Sequence, residues 1–156
     1  MTPIQNWGAW PSWTPTLTGT TTDPTLGTGA TVDGRYQAEG TDVRWRALIV
    51  LGANPTGGAG RYQLALPAEY PPASTTAVIG TGLIVDQDDP FRPWVVTVAL
   101  NAALADELDA DPTLPFIFTA ERRGPGDISA IGADHPGTWE AGDTIDISGT
   151  YEAATS

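Results

Sequence analysis

The single histidine of the chain, His135, stands in Ala133-Asp134-His135-Pro136-Gly137. Its imidazole is the one side chain whose ordinary pKa lies near neutral pH. A histidine beside an aspartate could act as a general base oriented by that carboxylate. No serine elbow, no cysteine and no second histidine accompany it, and no known triad spacing is met. The residue therefore reads as part of a turn around Pro136-Gly137. Paired carboxylates are the next candidates, since two acids across a sugar can hydrolyse a glycosidic bond. Asp86, Asp88 and Asp89 in Val85-Asp86-Gln87-Asp88-Asp89-Pro90 form one cluster, and Asp106, Glu107, Asp109 and Asp111 another. Both fall in loops or at strand ends, where solvated acids are the ordinary finding. The same clusters could offer oxygens to calcium, but neither has the glycine and distal glutamate of an EF-hand loop. Gly27-Thr28-Gly29 and Gly57-Gly58-Ala59-Gly60 lack the following helix that a phosphate cradle needs and read as hairpin loops. Neither catalysis nor a cofactor is expected.

The charge points the same way. Nineteen acidic residues face seven arginines, with no lysine, for a net charge of −12. Affinity for nucleic acid comes largely from cationic side chains that release counterions, so nucleic acid is set aside as a partner. The first residues carry neither the basic flank nor the apolar run of a signal peptide. The longest apolar runs are far too short to cross a bilayer. A soluble protein made in the cytoplasm of whatever cell makes it is expected, with no membrane insertion.

Six tryptophans carry more information. Trp45 and Trp94 lie within strand-like runs and should pack in a core, and Trp139 should plug one end of it. Trp7, Trp10 and Trp13 lie in Trp7-Gly8-Ala9-Trp10-Pro11-Ser12-Trp13. Contiguous apolar area of that kind usually marks an interaction site, and tryptophan is a typical interface anchor. Residues 1–12 are read as an extended arm that docks on another chain, with folding back on its own domain as the alternative. Residues 13–156 are read as one domain.

The elements that position these residues follow from punctuation. Eighteen glycines and fourteen prolines divide the chain into short runs rich in β-branched and aromatic residues, the pattern of an all-β sandwich or barrel. Eight strands are predicted, at 13–18, 30–38, 42–51, 61–66, 76–85, 94–100, 114–120 and 144–151. Val43, Trp45, Ala47, Ile49 and Leu51 alternate with more polar neighbours in the third. Residues 102–111 have the one helical composition, with Leu104 and Leu108 four apart. Residues 52–60 and 121–140 read as long loops. Eight strands in one acidic domain fit a jelly-roll β-sandwich.

With the strands placed, a likeness appears. Trp13-Thr14-Pro15-Thr16-Leu17-Thr18, the run Leu26-Gly27-Thr28-Gly29-Ala30-Thr31-Val32-Asp33-Gly34-Arg35-Tyr36, and Gly60-Arg61-Tyr62-Gln63-Leu64-Ala65-Leu66-Pro67 resemble segments of small bacteriophage virion proteins. So do Trp139-Glu140-Ala141-Gly142-Asp143-Thr144-Ile145 and Ser148-Gly149-Thr150-Tyr151-Glu152. Such proteins are labelled minor tail, tail-fibre or head-fibre proteins. The resemblance implies a tumour-necrosis-factor-like jelly roll assembling as a homotrimer, and a place in the virion among other tail or capsid proteins. Two roles follow. One is a minor tail protein contributing to host attachment, whose loops meet the host surface, a cell-surface glycan among the candidates. The other is a capsid decoration or head-fibre protein held to the shell by the arm. Candidate contact residues are Asn54, Asp86, Asp88, Asp89, Arg92, Arg122, Arg123 and His135.

Overall fold

The computed structural model describes residues 10–119 and 130–155. Its strands are β1 (Ser12–Trp13), β2 (Leu17–Gly19), β3 (Thr31–Glu39), β4 (Asp42–Val50), β5 (Tyr62–Leu64), β6 (Thr76–Val85), β7 (Trp94–Asn101), β8 (Phe116–Thr119) and β9 (Thr144–Glu152). One helix, α1 (Ala102–Glu107), lies between β7 and β8. The protein is all-β. The strands predicted at 30–38, 42–51, 76–85, 94–100 and 144–151 lie within one residue of those bounds. The first predicted strand is instead two, because buried Pro15 has no N–H to give a ladder and the chain changes partner there. The described residues thus hold nine strands rather than eight.

All nine pair antiparallel in the order β1-β3-β4-β9-β6-β7-β8-β5-β2. Laid flat, that sheet would be about 38 Å across at the usual strand spacing. Yet its outermost strands are consecutive in the chain, and residues 14–16 can bridge only about 14 Å between Trp13 and Leu17. The sheet must therefore curl until its edges meet. Trp13 Nε1 donates to Ala65 O at 2.9 Å and Ala65 N donates to Thr16 O at 2.8 Å, which closes the seam. Within the order, β6-β7-β8 is a meander and β9 returns to lie beside β6, which makes a Greek key.

The curled sheet encloses one core. Val43, Trp45, Ala47 and Ile49 of β4 face inward, with none of their surface exposed, beside Ile145 and Ile147 of β9 and Val96 and Val98 of β7. Trp45 is the largest of the fully buried side chains, and its indole N–H donates to Ile79 O at 3.2 Å. Glycine makes room for it: a Cβ on Gly80 would stand 2.6 Å from the Trp45 ring, and one on Gly149 would stand 1.8 Å from Ile79 O. Outside the sheet a second cluster forms where α1 lays Leu104 and Ala105 over Phe116. Asn101 caps that helix by accepting from Leu104 N at 3.1 Å. The helix is short, as predicted for this segment.

Register also defines two poles. Thr31, Val50, Thr144 and Val85 stand in one row across β3, β4, β9 and β6, at the pole where residues 86–93 and 133–143 leave the sheet. Glu39, Asp42 and Glu152 stand in a row at the opposite pole. Tyr36 N donates to Pro11 O, so the described chain enters from the second pole; Ala153 N donates to Thr41 O, so it also leaves there.

Candidate functional site

Six of the candidate contact residues gather at the first pole, though not all on its surface. Asp86 turns the 86–93 loop by accepting from Asp88 N at 2.8 Å, and Asp89 N donates back to Asp86 O at 3.1 Å. Asp88, Asp89 and Arg92 are exposed, with Arg92 Nε 3.8 Å from Asp89 Oδ2. The residue that fixes this loop was not among the candidates. Asp143 is 4% exposed; its Oδ1 accepts from Gln87 N at 3.0 Å and its Oδ2 from Glu140 N at 2.8 Å. Its backbone carbonyl accepts from Leu51 N at 2.9 Å. One buried aspartate therefore ties the 86–93 loop and the 140–143 turn together through its carboxylate, and to the end of β4 through its backbone carbonyl. Its place in a Gly-bearing turn just before a strand is the signal that could have found it. Above it, the exposed Glu140 carboxyl is held above its ordinary range by the adjacent Asp88 carboxylate, through a shared hydrogen bond and like charge.

Two expectations are corrected here. His135 is not a surface contact: it is 6% exposed, and its Nε2 lies 2.8 Å from Thr119 Oγ1, in hydrogen-bond reach of that hydroxyl. It follows a stretch that is core, not loop. Ala130 and Ile131 are fully buried, Ile131 N donates to Ile117 O, and Tyr62 N donates to Ile131 O. Apolar side chains and backbone pairing draw 130–135 under the pole. Trp139, 9% exposed, does plug this end, its indole N–H donating to Gly132 O at 2.8 Å and its ring 5.8 Å from that of Tyr62. Burial, with the Asp134 charge added, pushes the Tyr62 phenol up to about 12.

The second correction concerns residues 52–60, expected as a free loop around Asn54. Asn54 is exposed with φ 55°, but its neighbours are paired. Thr22 with Ala59, Thr25 with Thr56 and Thr28 with Ala53 each exchange two backbone hydrogen bonds of 2.9–3.1 Å. Thr25 and Thr56 also join hydroxyls at 2.7 Å. This ribbon continues the β2–β5 ladder and arches over the open end of the curled sheet, where Pro24 and Leu26 meet Leu51 and Trp139.

Of the expected arm, residues 10–12 are described, and β1 begins at Ser12. Trp10 is 7% exposed, and Trp13 sits in β1 with its ring edge-on to Trp45, 6.3 Å between centroids. Trp13 thus packs against the core of its own domain, and the Trp10 backbone carbonyl accepts from Arg35 at 3.4 Å. Trp7, Arg122 and Arg123 lie outside the described residues.

Chemically, the described residues of this pole form an anchored acidic surface with exposed Arg92 among them. Among the described residues no three histidine or acidic side chains are grouped as a metal ion would need, and no helix is long and apolar enough to cross a membrane. Comparison with protein-family models, curated proteins and solved structures finds no match.

Proposed function

We propose that this chain is a bacteriophage virion accessory protein, a minor tail protein that presents its acidic loop pole to the host surface. The observation that carries this reading is polarity: the described chain enters and leaves at one pole, while the Asp143-fixed loops project from the other. A module attached through its terminal segments would hold those loops outward. In this reading the curled sheet is a jelly-roll sandwich, supported by its Greek key, and the working unit is a homotrimer. The partners are other copies, other virion proteins and a host surface glycan.

The test is to count copies per purified virion by quantitative mass spectrometry against the capsid and tail-tube proteins. A few copies per particle are expected. A number scaling with the capsid lattice would replace the tail with a decoration role on the shell. Removing residues 1–9, which leaves Trp10 and β1 in place, should give a folded protein missing from the virion. Full incorporation of that truncation would overturn attachment through the arm.

A further inference from the structure

The outward side of β6 and β7 carries an apolar strip. Val96 and Val98 of β7 are buried in the core, and so is Ile84 of β6. Side chains alternate along a strand, so their neighbours Val95, Thr97 and Leu83 point outward. Register joins the outward residues in three cross-strand pairs: Leu83↔Val95, Thr81↔Thr97 and Val78↔Ala99. Val78 is 69% exposed, Val95 60% and Leu83 40%, three of the five exposed large apolar side chains among the described residues. Scattered single apolar residues need no explanation, but a contiguous patch marks an interaction site. No charged residue occurs anywhere in β6 or β7. The outward side of β3-β4-β9 is the opposite. It carries Arg44 and the ion pairs Arg35–Asp33 and Arg46–Asp146, at 3.1 and 3.7 Å.

We propose that this strip faces the symmetry axis of the homo-oligomer, where it meets the same strip of the other copies. The inference rests on the homo-oligomer reading above and names the surface that builds it. Charge selects the occupant. Residues beside a rotation axis meet their own copies, so a charge there faces a like charge. Two chains of net charge −12 repel as they approach. A wall without charged side chains lets them touch at the lowest cost, and the centres of protein interfaces are likewise depleted of charge. Geometry agrees. The strip runs along the strands, between the two poles, for about 17 Å. Rotation about an axis parallel to it keeps every loop pole at one end and every chain entry at the other. The 86–93 loops therefore stay free to face the host. Ser148, opposite Thr81, and the Arg46–Asp146 pair beside Leu83 supply a polar rim.

The test is sedimentation velocity on the full chain, on Val95→Asp and on Arg44→Ser, with circular dichroism to confirm the fold. Both changes lower the net charge by one unit, the first on the strip and the second on the charged wall. Wild type should be an oligomer. Val95→Asp should associate at least about tenfold more weakly, as expected for losing a buried apolar side chain, and Arg44→Ser should associate as wild type does. Cross-linking gives a second readout, because the chain has no cysteine of its own. Thr81→Cys lies in the middle of the strip. Facing sheets stand about 10 Å apart, so a short bis-maleimide should join its copies. A monomeric wild type overturns the homo-oligomer reading together with this inference. With an oligomeric wild type, the strip alone is overturned if Val95→Asp associates as tightly, if Arg44→Ser weakens as much, or if Thr81→Cys stays unjoined. Should Val95→Asp fail to fold, the Thr81→Cys result decides.

Discussion

Two parts of the molecule pair their backbones antiparallel and have little else in common. In the wall β3-β4-β9-β6, partners meet at every residue, one face is apolar, and Trp45 sits at its centre. In the ribbon, Leu17↔Leu64 to Gly19↔Tyr62 begin an ordinary ladder, but beyond it partners meet only at every third residue: Thr22, Thr25 and Thr28 against Ala59, Thr56 and Ala53. Two residues between successive bridges swing out, and Gly58 and Gly60 do so at φ 65° and 88°, where other residues are strained. The ribbon keeps register with half-buried contacts such as Leu26 in place of a fully buried face. Hydrogen bonds alone hold chains in line, but burial supplies most of the stability.

If that contrast is right, Trp45→Ala should be the most damaging of these changes, costing about 3–5 kcal/mol in urea unfolding. A loss under 1 kcal/mol would mean the wall does not carry the fold. Asp143→Ala removes the acceptor of two backbone N–H groups and should cost about 2 kcal/mol. Its effect should reach the loop and the turn together, read as faster hydrogen exchange at both Gln87 and Glu140. High pH comes next. Burial holds the Tyr62 phenol up at about 12 and raises that of Tyr151 further, against about 10 when unfolded. The unfolded chain therefore loses these protons first, so stability is intact below about pH 10 and falls as pH rises toward 12. A Tyr62→Phe variant should lose part of that fall; an unchanged profile would assign it to other groups.

The ribbon should yield less. Thr25→Val with Thr56→Val removes the hydroxyl pair and should cost about 1 kcal/mol or less. Native-state exchange should show the Thr25 and Thr56 amides opening locally, while Trp45 and Ala47 exchange only through global unfolding. Equal protection would erase the distinction. Smallest is Asp88→Asn, which removes the charge facing Glu140 and should return that carboxyl toward its ordinary range in an NMR titration.

The same contrast explains what the sequence made legible. Val43, Trp45, Ala47 and Ile49 alternate with more polar residues because one face of β4 is buried and the other is not, and a period of two can be read directly. The ribbon has no such period; its glycines and threonines look like loop because no side-chain pattern records a bridge at every third residue. The pole was harder. The acids at 86–89 were visible as a cluster, but Asp143 works through backbone N–H groups that no motif announces. His135 was misplaced because its burial depends on Ile131 docking between Ile117 and Tyr62, pairings that lie far apart in the chain. Trp13 packs on its own domain, which the sequence could not distinguish from docking because an apolar arm reads the same whichever surface it covers.

The place of β9 has a consequence for synthesis. It is the last of the described strands and lies between β4 and β6, pairing with both along most of its length. A nascent chain emerges at roughly 5–20 residues per second, so β4 waits on the order of ten seconds for its partner while the rest is made. During that interval the Trp45 face has no second wall. Folding should therefore be nearly all-or-none once β9 has been made, and a chain stopped before residue 144 should be cleared by proteases rather than accumulate as a partial domain.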